Sequence, residues 1–164
     1  MKSTTWKRGV LTLAGVFALC VALLSGARGA YAEEISGNGW TLNDGVLTLT
    51  ADIPTATTYD WTQYASQITE VKVAEGVTEI PGTAFASYGS VQYSNLHKVT
   101  LSSTVKTIRV SAFADNPSLT EVHLNDGLER VWNCAFQNAG FTEIKLPANV
   151  DWHSDVFVLS LIHI

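Results

Sequence analysis

Three stretches of the chain place apolar residues at the same offsets while the letters between them drift. One has Leu119, Val122, Leu124, Leu128, Val131, Ala135 and Phe136. Before it come Leu96, Val99, Leu101, Val105, Ile108, Ala112 and Phe113, and earlier still Ile68, Val71, Val73, Val77, Ile80, Ala84 and Phe85. All three run 0, 3, 5, 9, 12, 16, 17. A fourth opens with Phe141, Ile144, Leu146 and Val150, after which His153 stands where Val or Ile is due. Unit starts lie 28, 23 and 22 residues apart, and the long first interval holds an insertion, "ASYGSVQYSN", between Phe85 and Leu96.

Offsets 3 and 5 alternate, so Val122 and Leu124 share one side of a short strand while Glu121 and His123 face the other. Offsets 9, 12, 16 and 17 step by three and four, which predicts a return path ending in a helical or 3₁₀ turn. Turn residues separate the two legs: Glu75-Gly76, Asn125-Asp126-Gly127 and Pro147-Ala148-Asn149. One strand, one turn and one return path make a coil of a solenoid. A lone coil buries too little apolar surface to offset the cost of ordering its backbone, so neighbouring coils must cover each other. The buried ladder therefore holds the offsets, and the solvent positions are free to vary.

Ahead of the repeats, "GWTLNDGVLTLTADIP" contains Asp44-Gly45, a two-residue hairpin signal. That turn predicts Leu42 opposite Leu47, Trp40 opposite Leu49 and Thr41 opposite Thr48. Trp61, Tyr64, Ala65 and Ile68 then fall at helix spacing, with Asp60 or Thr58 placed to cap. Hairpin and short helix are expected to cover the open end of the first coil. At the other end, "VDWHSDVFVLSLIHI" departs from the pattern and reads as a degenerate or truncated tail, 151–164; its closing "SLIHI" resembles translated sequencing-adapter DNA.

The motif LxxVxLxxxVxxIxxxAF resembles the BspA-type (treponemal-type) leucine-rich repeats of bacterial secreted and cell-surface proteins. The likeness extends over 68–150, and "WTLNDGVLTL" with "YDWTQYASQITEVKV" is similar to the segment that leads into such repeats. Two departures stand out. Two units lack a proline before offset 9, and Pro81, Arg109 and Trp132 stand where glycine is common after offset 12. The resemblance implies a mostly β fold with short helical or 3₁₀ turns, a leucine-rich-repeat solenoid with a parallel strand ladder. An N-terminal cap at 33–67 precedes units starting at 68, 96, 119 and 141.

The first 32 residues change the picture of where the chain works. Lys2, Lys7 and Arg8 precede the apolar run Val10 to Leu24, and Ala30-Tyr31-Ala32 has the form of a signal peptidase site. The run is short for a membrane span, so a secretory signal cleaved after Ala32 is expected, giving a secreted or cell-surface protein. Cys20 lies in this leader behind the bulky Leu19, which does not fit a lipoprotein site. Only Cys134 remains afterwards, and internal disulfides are excluded.

Lys2, Lys7, Arg8 and Arg28 leave with the leader. Of 10 Lys+Arg and 15 Asp+Glu, residues 33–164 thus keep six bases and all 15 acids, a formal charge of −9. Such a balance disfavours nucleic acid and anionic lipid.

Candidate chemistry is sparse. No nucleophilic elbow or Cys–His arrangement occurs, and His97, His123, His153 and His163 follow no metal-ligand spacing. Asn43-Asp44-Gly45 and Asn125-Asp126-Gly127 read as turns rather than calcium loops, and Cys134 as a small, semi-buried core residue. No catalytic residue, metal or cofactor is expected. What remains is the outward strand face: one column Glu70, Lys98, Glu121, Glu143, the next Lys72, Thr100, His123, Lys145, with Lys98 between two acids. The insertion, with Tyr88 and Tyr93, is the second candidate surface. The resemblance implies a non-catalytic, adhesin-like module recognising a host or neighbouring-cell surface protein or glycan, within a longer protein. A targeting region of a larger secreted enzyme and a structural spacer are the alternatives.

Overall fold

The computed structural model describes residues 34–160; the expected leader and the last four residues lie outside them. Strands β1 (Ile35–Gly37), β2 (Trp40–Asn43) and β3 (Val46–Leu49) form an antiparallel meander. Asp44 (φ 48°) and Gly45 (φ 77°) make its tight turn, and Trp40–Leu49, Thr41–Thr48 and Leu42–Leu47 pair as the turn chemistry predicts. β3 then pairs in parallel with β4 (Glu70–Val73), β4 with β6 (Lys98–Thr100), and β6 with β8 (Glu121–His123). A second parallel sheet joins β5 (Glu79–Ile80), β7 (Thr107–Ile108), β9 (Arg130–Val131) and β10 (Asp151–Trp152). The return path of each coil is thus itself a short ladder.

The interior lies between the two sheets. Val71, Val99, Ile80, Ile108, Val131 and the Ala–Phe pairs 84–85, 112–113 and 135–136 are each 0% exposed, the full packing that the fixed offsets demand. Aromatic rings stack along it: Phe85 on Phe113 at 5.3 Å and Phe113 on Phe136 at 5.4 Å between centroids. The column extends past the repeats at both ends, to Trp61 (5.6 Å from Phe85) and to Phe157 (6.0 Å from Phe136).

Trp61 shows that the N-terminal segment is more than a lid. Counted from Asp44, the residues Leu47, Leu49, Ile53 and Trp61 occupy offsets 3, 5, 9 and 17, and β3 pairs with β4 just as β4 pairs with β6. The segment is a coil of the same period, with the hairpin β1–β2 closing its outer edge. The predicted helix is a 3₁₀ helix, Asp60–Gln67, burying Trp61 and Ala65. Neither Asp60 nor Thr58 caps it: Tyr59 holds the cap position and its side chain makes no capping bond.

At the opposite end the expected break at His153 is corrected. Trp152, not His153, pairs beside Val131, because the fourth coil has one residue fewer than the third between Leu146 and that site. Val156 and Phe157 follow in the Ala–Phe places, with Val156 3% exposed and Phe157 in the ring column.

Each full coil also contains left-handed backbone just before the Ala–Phe pair: Thr83 (φ 57°), Ser111 (54°), Cys134 (57°) and, in the fourth, Asp155 (65°). A second such residue follows at Asp115 (58°), Asn138 (50°) and Leu159 (63°). These residues make tight corners in the backbone, and Cys134 is one of them, half-buried. Gly140 meets a stricter demand: a Cβ there would lie 1.8 Å from the Pro117 carbonyl oxygen.

Candidate functional site

The outward strand face assembles in part as expected. Glu70, Lys98 and Glu121 stand side by side, as do Lys72, Thr100 and His123. Lys98 Nζ sits 2.9 Å from Glu121 Oε1, and Lys72 reaches Glu70 at 3.6 Å. His123 Nε2 shares the Glu121 carboxylate with Lys98. The His123 hydrogen bond first, and Lys98 second, hold the Glu121 carboxyl below its ordinary range; the same contact raises Lys98. The charges of this face therefore neutralise one another locally.

Glu143 and Lys145 do not join it. Residues 141–150 form no strand, and β8 is the last strand of the first sheet. The fourth coil keeps register with the second sheet through β10, while the first ladder stops at β8 and Glu143 and Lys145 are exposed beyond it.

The second sheet carries its own outer pairs, Arg109 with Glu79 at 2.8 Å, Lys106 with Glu129 at 3.3 Å and Arg130 with Asp151 at 3.6 Å. His153 stacks on Trp132 at 4.3 Å, and the Arg130 guanidinium lies 5.8 Å from the same ring. None of the histidines falls in a metal-binding group among the described residues. At Asn125-Asp126-Gly127 the Asn125 amide donates to the Ser102 and Val105 carbonyls and its oxygen accepts from Gly127 N, a turn tied to the preceding coil.

The insertion is where the coil pattern opens. Its tip, Tyr88 to Val91, is a turn closed by Val91 N donating to Tyr88 O at 3.1 Å, with Gly89 at φ 58°. Its base is buried and polar. Asn116, 1% exposed, donates to the Phe85 carbonyl at 2.6 Å and accepts from Ser87 Oγ at 2.8 Å; Ser87 Oγ in turn accepts from Tyr93 N at 2.8 Å. Tyr93 is corrected as an exposed contact: it is 1% exposed, its hydroxyl donates to Ala84 O at 2.9 Å, and burial pushes its pKa far up. Tyr88, by contrast, is 55% exposed.

Between this loop and the start of the 3₁₀ helix lies a cavity of about 250 Å³. Threonine and serine hydroxyls (Thr57, Thr58, Thr62, Thr83, Ser90) and the side chains of Tyr59, Tyr88 and Val91 line it, with Tyr93 at its floor. Tyr59 is 7% exposed; its hydroxyl donates to Gly82 O at 2.6 Å, and burial raises its pKa. Sequence reading found the insertion but missed the facing wall, since nothing in the spacing says that Thr57–Thr62 stand across from it.

Residues 90–160 match the model of the BspA type leucine rich repeat region (6 copies). Residues 90–160 are thus repeats of the BspA type. Among solved structures, a leucine-rich repeat protein from Eubacterium ventriosum superposes with a TM-score of 0.65 at 28% identity, covering 75% of this chain and 33% of that one. A leucine-rich repeat protein from Bacteroides ovatus gives 0.51 at 21% identity over 81% of this chain and 38% of that one. The T. pallidum leucine-rich repeat protein gives 0.50 at 19% identity over 77% and 52%. The last two establish the fold alone. The chain thus spans about a third to a half of the length of these leucine-rich repeat proteins. No curated protein matches it.

Proposed function

We propose that the chain is a non-catalytic recognition module of a secreted or cell-surface protein, adhesin-like, binding a protein or glycan partner. The observation that carries this reading is the ten-residue insertion in the coil period. There, residues 86–95 raise an exposed tyrosine over a cavity, on a base held by the buried Ser87–Asn116 pair. A spacer needs only repetition, whereas a built and preordered loop lowers the ordering cost of binding. The outward strand face is the weaker candidate, because Lys98, Glu121 and His123 already satisfy each other. Extended solenoid faces do serve as contact surfaces, so both are tested together.

The test is saturable binding of the purified chain to a panel of extracellular-matrix proteins and an array of glycans. At least one partner is expected to bind, with Tyr88→Ala weakening it and Lys98→Glu leaving it within about twofold. Absence of saturable binding to either panel overturns the reading. Mass spectrometry of the exported chain tests the leader: a first residue of Glu33 is expected.

A further inference from the structure

We infer that the cavity between the insertion and the cap is a binding site for a single neutral sugar ring, the terminal residue of an uncharged glycan, stacked against Tyr88. This deepens the recognition reading and rests on it.

Size is the first reason. About 250 Å³ lies just below the roughly 300–1,000 Å³ typical of pockets that enclose a whole small molecule, so the site admits one ring and not an extended ligand. Lining chemistry is the second. Every polar side chain around it is a hydroxyl, a group that can both donate and accept as vicinal sugar hydroxyls require; Tyr59, Thr62 and Tyr93 already donate theirs to backbone carbonyls, which leaves the exposed hydroxyls for a guest. Thr57, Thr58 and Ser90 are exposed, so their hydroxyls face solvent or a ligand. A guest that fails to use such groups leaves polar atoms desolvated and unpaired, which is how hydroxyl-rich sites discriminate.

Charge is the third reason. No acidic or basic side chain lines the cavity, and residues 33–164 carry −9 by the count above, so an anionic sugar gains no counter-ion and meets a repulsive field. A peptide strand finds no partner either, since the loop tip already closes on itself through the Tyr88–Val91 bridge. Finally, the stacking ring is available and its support is rigid. Tyr88 is more than half exposed, while Tyr93, Ser87 and Asn116 beneath it are buried and hydrogen-bonded. Tyrosine offers a large amphipathic surface at low conformational cost, which suits this arrangement.

The experiment is saturation-transfer difference NMR on the full chain after export. The probes are methyl β-galactoside, methyl β-N-acetylglucosaminide, methyl α-mannoside and the α-methyl glycoside of sialic acid, followed by titration of whichever binds. At least one neutral glycoside is expected to show transfer concentrated on one ring face. Tyr88→Ala should weaken it at least tenfold, Tyr88→Phe less than threefold, and Thr58→Val severalfold, with melting temperatures unchanged because both sites are exposed. Preference for the sialoside, or equal binding by the Tyr88→Ala chain, overturns the inference. So does occupation of the cavity by a peptide from the protein panel. If no glycoside binds while a matrix protein does, the sugar site fails and the recognition module stands; if neither binds, both fall.

Discussion

The two ends of the described residues differ. At the N-terminal end a side chain takes over the role of backbone. Within the repeats, the Thr78 carbonyl accepts from the amides of Lys106 and Thr107 at 2.8 and 3.2 Å, and the Lys106 carbonyl from Glu129 and Arg130 at 2.9 and 3.0 Å. The amides of Thr78 and Glu79, which have no such carbonyl before them, donate instead to Asp52 Oδ1 at 2.7 and 3.1 Å. The Thr78 hydroxyl fills Oδ2 at 2.7 Å. A carboxylate thus finishes the second sheet, while the β1–β2 hairpin finishes the first. At the C-terminal end only the second sheet continues, with Asp151 N on Glu129 O at 2.9 Å and His153 N on Val131 O at 3.0 Å. The ring column runs through both ends regardless. Interior packing therefore sets the period, and the ladders adjust to it, being completed, replaced or dropped as local chain length allows.

If that ranking is right, damage to the column outweighs damage to any ladder. Phe113→Ala, in the middle of the stack and fully buried, should cost about 3–5 kcal/mol in urea unfolding. Phe157→Ala, half-buried at the end, should cost less than half as much. Equal losses would mean that the column is no more important inside than at its rim. Next in size, Gly140→Ala forces a methyl into the Pro117 carbonyl and should cost roughly 1–3 kcal/mol, visible as a lowered melting temperature.

Asp52→Ala should cost about 1 kcal/mol, the scale of a lost helix cap, since two amides lose their acceptor. Burial pushes the Asp52 carboxyl up, but the Thr78 hydroxyl and the Thr78 and Glu79 amides outweigh it, leaving the carboxyl below its usual 3.8. A carboxyl depressed in the folded state stabilises above the unfolded value and loses that stabilisation as pH falls through the folded one. The wild-type advantage over Asp52→Ala should therefore hold above about pH 4 and shrink below it; an advantage that persists at pH 2 would contradict the carboxylate's role. Smallest is Glu121→Gln on the strand face, expected to leave the melting temperature within error because exposed ion pairs contribute little.

The comparison also explains what could be read in advance. The offsets, the inward residues and the Asp44-Gly45 hairpin register were legible, because each follows from a local period or a two-residue turn. The cap's own coil was legible in principle: Leu47, Leu49, Ile53 and Trp61 keep the spacing, but Trp in a Phe position and a hairpin in front concealed it. The fourth coil was misjudged for the opposite reason. One missing residue shifts Trp152 into the place assigned to His153, and a fixed-offset pattern has no means to register a deletion. Tyr93 illustrates the ambiguity of tyrosine, whose ring and hydroxyl suit either a wet surface or a buried hydrogen bond.

The linear order of residues was enough to specify a stacked interior and its approximate period, since burying one apolar face per coil is a demand each coil imposes on its own spacing. Which outward side chains meet was left to the folded chain. Glu121 finding both Lys98 and His123, Lys145 falling away from the ladder, and Thr57–Thr62 facing Tyr88 across a cavity all arise between segments distant in the sequence. Solvent positions carry no periodic constraint, so only three-dimensional packing could bring those groups together.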